Sequence, residues 1–396
     1  MDKVTSCDVC DYQLTTEEIE KNITLCPQCH APLFVKALSE FGSEEIDLAI
    51  HSLMHILSKH RFDYLNKKLS GNIKKISKRE EYWLKKWTNL YWLRPGNAVA
   101  RALQCITIEN AGIDLPDPML DLGGGDGIFT AALRGYDFIP EFDMYRSLDL
   151  KSKDIYDFYE PGAYKNVITN AGKEIDSLLD IRSALVNKAG ELGAFGSCIT
   201  GDARRTPYDD NYFKSIFTNI LDYFFDEDFD SVFKEIQRIL SSDGQLLTVV
   251  QTDKQINGMF YGPKGARLKK EGNTEFSDLH FSLDRGRAGI SEGKQENYLN
   301  LSKDAWVEKF ESSGFEVLGI YNGMSPMIVN LWDTELRPFS VQLIKLADLL
   351  DGAGFKQNIK AKVVSFLSKY YEMYVSDFHE LDIDEAGAII IHARKK

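Results

Sequence analysis

Several stretches of the chain repeat apolar residues at the three- and four-residue spacing of an amphipathic helix. One covers residues 43–60, and another carries Trp83, Trp87 and Trp92. Lysines of the segment 67–86 lie among these aromatic residues. The mixture predicts a helix with a solvated lysine face and an aromatic face packed on the protein. Lysines interleaved with aromatics are also typical of nucleic-acid binding, so that alternative stays open.

Short apolar runs bounded by turn residues predict buried strands. The first run is followed by a glycine turn and an apolar stretch of helical character, which is the strand–turn–helix order of an α/β protein. A helix over 302–313, capped by Ser302, precedes the last two runs. The strands predicted in this way cover residues 119–122, 144–149, 197–203, 315–321 and 388–393.

Composition narrows the class of protein. The chain has 396 residues, of which 43% are hydrophobic and 27% are charged, and its formal net charge is −13. This length suggests two to three domain-sized units with a large packed core. No apolar run reaches the roughly 18–20 residues of a membrane-spanning helix, and no secretory signal is visible, so a cytoplasmic protein is expected. The acidic balance disfavours nucleic acid as the default partner without excluding it.

Four cysteines lie within the first 29 residues as two Cys-x2-Cys pairs, Cys7 with Cys10 and Cys26 with Cys29. Two such pairs let four thiolates converge on one tetrahedral Zn²⁺. Two redox disulfides are the alternative, which a reducing compartment disfavours. Because four thiolates complete the coordination shell and leave no position for water, the metal is expected to be structural.

The glycine turn after the first strand carries Gly123, Gly125 and Gly127, with Asp121 two residues before the first glycine. A dinucleotide fingerprint would need a glycine at position 128, which is Ile128, and the Gly-Lys-Ser/Thr of a phosphate-binding loop is absent. The spacing resembles motif I of class I S-adenosylmethionine-dependent methyltransferases. Glycines would let the backbone approach this cationic cofactor, and a carboxylate such as Asp121 suits its charge.

The resemblance continues along residues 119–252 and implies roles for later residues. Asp149, at the end of the run 144–149, would accept hydrogen bonds from the cofactor's ribose. Asp202 and Ala203 would contact the adenine through a carboxylate and a backbone N–H group, respectively. Asn219, at the end of the fourth strand, is assigned to the same cofactor site. About thirty residues between Asp149 and Asp202 are then interpreted as an insertion.

The resemblance also implies a fold class: a Rossmann-like, seven-stranded α/β methyltransferase sheet that ends in an antiparallel strand pair, with an N-terminal zinc ribbon and helical lid insertions. Both insertions are expected to reach the carboxyl ends of the strands, where such sheets bind ligands. The expected division is a zinc ribbon at 1–37, a helical segment at 38–115, the core at 116–252, a substrate lid at 253–301, a core helix and strand at 302–321, a second, helical lid at 322–386 and the last strand at 387–396.

Candidate bases for the transfer lie in the two lids. His280 and His379 are the first and second choices because histidine titrates near neutrality. The small-molecule subgroup often has Leu-Glu-His after the fourth strand, where this chain has Leu221-Asp222-Tyr223, so Tyr223 is the third candidate.

The leading hypothesis is therefore S-adenosylmethionine-dependent methyl transfer to a small molecule, such as a glycan precursor, a lipid-like molecule or a secondary metabolite. One alternative is an RNA methyltransferase that docks ribosomal-type RNA through its zinc ribbon. The other is a non-catalytic, cofactor-binding scaffold. In each case the zinc ribbon could also dock a protein partner.

Overall fold

The structure is a computed structural model that describes residues 12–17, 66–67, 70–71, 75–144, 158–224, 226–255, 301–334, 340–352, 354–379 and 381–396. Some sequence predictions fall on other residues and lie outside the described part of the chain. These are Cys7, Cys10, Cys26, Cys29, Asp149, His280 and the helix predicted at 43–60.

A mostly parallel sheet of seven strands forms the centre of the fold. Its strands are β1 (Met119–Leu122), β4 (Ile175–Asp180), β5 (Phe195–Thr200), β6 (Phe213–Thr218), β7 (Leu240–Gln251), β8 (Phe315–Met324) and β9 (Ala388–Lys395). Their order across the sheet is β5-β4-β1-β6-β7-β9-β8. The first five are parallel, and β9 runs antiparallel to both β7 and β8. The predicted Rossmann-like sheet of seven strands and its closing antiparallel pair are confirmed.

Two further strands, β2 (Asp137–Phe138) and β3 (Ile168–Asn170), pair as a separate short ribbon. The helices are α1 (Lys78–Leu90), α2 (Pro95–Asn110), α3 (Ile128–Leu133), α4 (Ser183–Leu192), α5 (Asp226–Ile239), α6 (Lys303–Ser312), α7 (Pro326–Thr334), α8 (Ser340–Gly352), α9 (Lys356–Tyr370) and α10 (Glu372–Phe378). Ser302 caps α6 as predicted, since its hydroxyl accepts from the Ala305 N–H. Within these described helices, none combines the length and apolar character needed to cross a bilayer.

The sheet buries a different layer on each face because side chains alternate along a strand. On β9, Ile389 and Ile391 share a core with Phe233 of α5 and Trp306 of α6. The intervening Ile390 belongs to a cluster on the other face. That second face is covered by α2 and α3. The result is the two-sided helical cover that a parallel sheet requires.

The strands beside β1 are β4 and β6, so the place next to β1 that was expected for residues 144–149 is taken by β4, while residues 145–149 themselves lie outside the described part of the chain. Leu120 pairs with Ser177 in the β1–β4 register, and β4 ends in Asp180. The chain just before position 145 packs against the helical layer, because buried Asp143 accepts a hydrogen bond from the Trp92 indole N–H at 2.8 Å. Among the described strands of this sheet, β4 is the one that follows β1 in the chain.

The aromatic segment forms a helical layer, as its spacing predicts. Trp83, Trp87 and Trp92 are buried in one large cluster with residues of α2, α8, α9 and α10. Lys86 of the lysine segment is buried too, with its ammonium 3.0 Å from the Asp137 carboxylate. This lysine is thus part of the packed layer and is not presented for phosphate binding.

Gly96 allows two helices of this layer to come unusually close. A Cβ atom built at Gly96 would lie 2.6 Å from the Cα of Trp332 in α7. Real Cβ atoms do not approach backbone atoms this closely, so α2 and α7 can keep their spacing only with glycine at position 96. The contact fixes the place of Trp332.

Replacing Gly96 with alanine should therefore destabilise the fold by about 1–3 kcal/mol through overpacking. The matched control is Gly190→Ala in α4, where a Cβ would meet nothing within 4 Å. That control should be neutral or stabilising by up to about 1 kcal/mol, because alanine is the better helix former. Thermal unfolding of both variants checks this, and equal shifts in the two would contradict the close helix contact.

Candidate functional site

The glycine turn joins β1 to α3 and lies against the end of β4. The Gly123 N–H donates to the Leu179 carbonyl at 2.7 Å, which ties the turn to the neighbouring strand. Gly123, Gly125 and Gly127 have φ angles of +72°, +59° and +75°. Residues with a Cβ rarely adopt this left-handed conformation, so the turn depends on all three glycines.

The three glycines differ in the space around them. A Cβ at Gly123 or Gly127 would collide with Ile220 or Phe195, so these two positions are filled by the protein. At Gly125 the nearest atom would be 3.8 Å away, on the Leu185 side chain. The backbone at Gly125 is therefore accessible for a ligand to approach.

Three carboxylates surround the turn. Asp121 is buried beneath it and accepts a hydrogen bond from the Thr130 hydroxyl, and Asp180 accepts one from the Gly125 N–H at 3.0 Å. Burial raises the pKa of Asp121 to about 7, against the lowering effect of the Thr130 hydroxyl and with further raising by the charges of Asp180 and Asp126. Burial also raises the pKa values of Asp180 and Asp126. Such a group of desolvated acids favours a cationic ligand.

Asp202 and Ala203 follow β5, beside the end of β4. The Gly201 N–H donates to the Asp180 carbonyl at 2.9 Å, so the two strand ends are directly connected. Both carboxylate oxygens of Asp202 accept hydrogen bonds from the Arg204 guanidinium, at 2.6–3.0 Å. These bonds lower the pKa of Asp202 and hold its side chain in one orientation.

A cavity of about 100 Å³ opens next to this turn, at the carboxyl ends of β6 and β7. Helix α2 contributes Asn97, Ala100, Arg101 and Gln104. The end of β6 and the short 3-10 helix after it (Leu221–Tyr223) contribute Asn219, Asp222 and Tyr223. The end of β7 and the residues after it contribute Val249, Val250, Gln251 and Gln255. Met324, Trp332 and Ala388 complete the lining.

Arg101 connects the cavity to the glycine turn. It lines the cavity, and its positive charge lowers the pKa values of both Asp121 and Asp126. Its guanidinium lies over the Phe129 ring at 5.0 Å and donates to the Gln104 side chain at 3.0 Å. The acidic turn and the cavity are therefore adjoining parts of one site.

The structure places the predicted catalytic residues Tyr223 and His379 in different parts of the protein. Tyr223 lines the cavity, together with Asn219 from the predicted cofactor set. His379 does not line it, which corrects the expectation that this histidine faces the site. Its Nε2 lies 2.6 Å from a carboxylate oxygen of Glu80 on the surface, because the end of α10 folds back on the start of α1.

Three residues of the site escaped the sequence prediction. Asp180 ends the strand that pairs with β1, and Asp222 and Arg101 line the cavity. Asp180 is an acid at the end of an apolar run, which is the same signal on which the prediction for Asp149 rests. Arg101 lies before the first strand, and no local pattern links it to the site.

Residues 162–248 match the family model described as a methyltransferase domain. The match covers β4 through most of β7, and the glycine turn, which follows β1 of the same sheet, precedes the matched residues. This part of the chain is therefore a methyltransferase domain. It is accordingly an enzyme of the methyltransferase class. A search of the curated proteins finds no match to this sequence.

Several solved structures are similar to this chain at low identity. A Thermotoga maritima methyltransferase described as a possible histamine N-methyltransferase has 12% identity and a TM-score of 0.41, over 80% of this chain and 98% of its own. A Haloferax volcanii methyltransferase complex with the activator Trm112 has 14% identity and a TM-score of 0.38, over 81% and 97%. The [4+2]-cyclase SpnF has 15% identity and a TM-score of 0.36, over 76% and 81%. All three TM-scores are below 0.5, so we infer no substrate or partner from them.

Among the residues that the structure describes, no group of three or more His, Cys, Asp or Glu side chains is arranged to hold a metal ion. The four N-terminal cysteines lie outside the residues to which this statement applies.

The raised pKa of Asp121 predicts a pH-dependent effect on stability. Because its folded-state pKa of about 7 exceeds the ordinary value of 3.8, its contribution to stability is present at low pH and is lost as the pH rises to about 7. Asp121→Asn, which stays neutral and can still accept from Thr130, should escape this loss. Its stability gain over the natural protein should be larger at pH 8 than at pH 5, by on the order of 2–3 kcal/mol.

Thermal unfolding of the ligand-free protein at both pH values checks this. Asp209→Asn on the exposed surface is the control and should shift the midpoint equally at pH 5 and pH 8. An equal shift for Asp121→Asn would contradict the raised pKa.

Proposed function

We propose that the chain transfers a methyl group from S-adenosylmethionine to a small molecule bound in the cavity. The supporting observation is that Arg101 lines the cavity while its charge acts on the acids of the glycine turn. A cofactor over the turn and an acceptor in the cavity would therefore be neighbours. Positioning two reactants in this way can account for much of the rate enhancement of an in-line transfer.

The residues around the turn fit this cofactor. The open backbone at Gly125 would let it approach, and the Asp180 carboxylate would accept hydrogen bonds from its ribose, the role first assigned to Asp149. Asp121 and Asp126 would face its cationic part, and Arg101 would bind its carboxylate. When bound, the cofactor supplies an electrophilic methyl group on a sulfonium.

Asp202 and Ala203 remain the proposed adenine contacts. Because Arg204 occupies the Asp202 oxygens, the adenine amino group would have to replace one of its hydrogen bonds. Both side chains are substantially exposed, at 36% for Asp202 and 43% for Arg204. A pair this exposed contributes about 0–1 kcal/mol, so the exchange would cost little.

The proposed lid segments contribute to the cavity. Gln255 belongs to the segment 253–301, and Met324 and Trp332 belong to the segment 322–386. These side chains support the proposal that both insertions cover the acceptor. The lids would exclude water from the transfer.

Gly125→Ala tests the cofactor site without a large effect on the fold. The variant adds a methyl group to open space, and its left-handed φ should cost about 1–2 kcal/mol of stability. Because the methyl group would intrude on the cofactor, affinity for S-adenosylhomocysteine should fall on the order of 10- to 100-fold in calorimetry.

Gly193→Ala is the matched control. Gly193 also has a positive φ, +71°, and a Cβ there would meet nothing within 4 Å, at the end of α4. It should lose similar stability and keep the affinity of the natural protein. Unchanged affinity in Gly125→Ala would contradict the proposed site.

We also propose that Cys7, Cys10, Cys26 and Cys29 bind a structural Zn²⁺. Four thiolates in two Cys-x2-Cys pairs are a donor set that suits tetrahedral zinc. Cys26→Ser should lower the zinc content measured by elemental analysis from about one ion per chain towards zero. Cys198→Ser in the sheet is the control. Full zinc content in Cys26→Ser would overturn the zinc proposal.

A further inference from the structure

We infer that the acceptor is an amine and that Asp222 is the residue that binds and deprotonates its nitrogen. The inference rests on the proposed function and names the class of acceptor for the same cavity. It uses a residue that the sequence prediction passed over in favour of its neighbour Tyr223.

Asp222 is held rigidly at the wall of the cavity. It lies in the short 3-10 helix after β6 and is only 3% exposed. Its Oδ2 accepts the Gln251 N–H at 3.2 Å, which links the ends of β6 and β7. A buried carboxylate on the ends of two core strands is a well-oriented partner for a ligand cation.

The other lining groups are compatible with an ammonium group at Asp222. The side chains of Asn97, Gln251 and Gln255 can accept hydrogen bonds from N–H groups. Trp332 adds an aromatic ring, and such rings attract cations. Its position is maintained by the close contact with Gly96.

Arg101 is the one cationic side chain among the described lining residues, and its guanidinium is directed elsewhere. It stacks over Phe129, donates to Gln104 and acts on the charges of the glycine turn. The cavity thus has a cationic end towards the cofactor and an acidic end at Asp222. An acceptor carboxylate or phosphate near Asp222 would be repelled.

The carboxylate also supplies the proton acceptor that an amine needs. An ammonium nitrogen has no free electron pair, so it first gives a proton to Asp222. The neutral nitrogen then bonds to the methyl carbon, while the carbon–sulfur bond breaks and its electron pair stays on sulfur. The positive charge moves from sulfur to nitrogen, and the proton on Asp222 leaves to water.

The first test compares amines with alcohols of the same carbon skeleton, using the full chain loaded with S-adenosylhomocysteine. Calorimetry at pH 7.5 uses butylamine and benzylamine, with 1-butanol, benzyl alcohol and benzoate as the comparison set. We expect the amines to bind about 10- to 100-fold more tightly than the alcohols, the usual range for a hydrogen bond to a charged group. Equal affinity of amines and alcohols, or tighter binding of benzoate, would overturn the proposal.

The second test uses Asp222→Asn, with Asp222→Glu as the charge-retaining variant and Asp304→Asn on the surface as the control. Asp222→Asn should lose the amine preference, while the other two should retain it. Its methylation of benzylamine, followed by mass spectrometry, should fall about 10²- to 10⁴-fold at pH 7.5 and recover as rising pH supplies neutral amine. Unchanged amine affinity in Asp222→Asn would contradict the role of Asp222.

Affinity for S-adenosylhomocysteine separates this inference from the proposed function. All variants should bind it within about twofold of the natural protein, since Asp222 is assigned to the acceptor. If the natural protein does not bind it, the proposed function itself fails. If the natural protein binds S-adenosylhomocysteine but does not prefer amines, only the amine inference fails. The comparison of amines with alcohols uses the natural protein, so it gives an answer even if Asp222→Asn does not fold.

Discussion

Asp121 and Asp180 bring two carboxylates to neighbouring parallel strands directly at the glycine turn. Desolvation makes this arrangement unfavourable in the empty protein, since burial raises the pKa values of both groups. The fold tolerates it because the Thr130 hydroxyl and the Gly125 N–H donate to these carboxylates. Acids held this way attract a cationic ligand, and the rest of the site is arranged around that attraction.

The helical layer forms part of the cavity beside the acidic turn. Helix α2 lies across one face of the sheet and carries Arg101 to the boundary between turn and cavity. The close approach at Gly96 brings α7, and with it Trp332, to the lining of the same cavity. The proposed cofactor position is thus built by strand ends, and the proposed acceptor position by strand ends together with helices α2 and α7.

Part of this arrangement is visible in the sequence. Glycines at 123, 125 and 127 predict the turn because no other residue accepts its left-handed backbone, and Ser302 predicts the start of a helix through local capping. Asn219 was identified because it follows a buried strand directly. Each of these signals is local; the turn and the helix cap are confirmed, and the cofactor role of Asn219 stays a prediction.

Long-range pairing was harder to predict. The runs 144–149 and Ile175–Asp180 both end in Leu-Asp, and only the pairing with β1 distinguishes them. His379 belongs to a segment predicted to cover the site, but its side chain contacts Glu80 at the start of α1. Arg101 precedes every strand of the sheet and reaches the site only through helix packing. Nothing in the local pattern determines these contacts.

The most direct measurement of the central claim is the affinity for S-adenosylhomocysteine of two single variants, Asp180→Asn and Asp149→Asn. Each replaces one candidate ribose acid by its neutral counterpart. Calorimetry should show a loss of about tenfold or more for Asp180→Asn, the effect of removing a charged hydrogen-bond acceptor, and little change for Asp149→Asn. Unchanged affinity in Asp180→Asn, or a loss confined to Asp149→Asn, would contradict the assignment of the cofactor site to the end of β4.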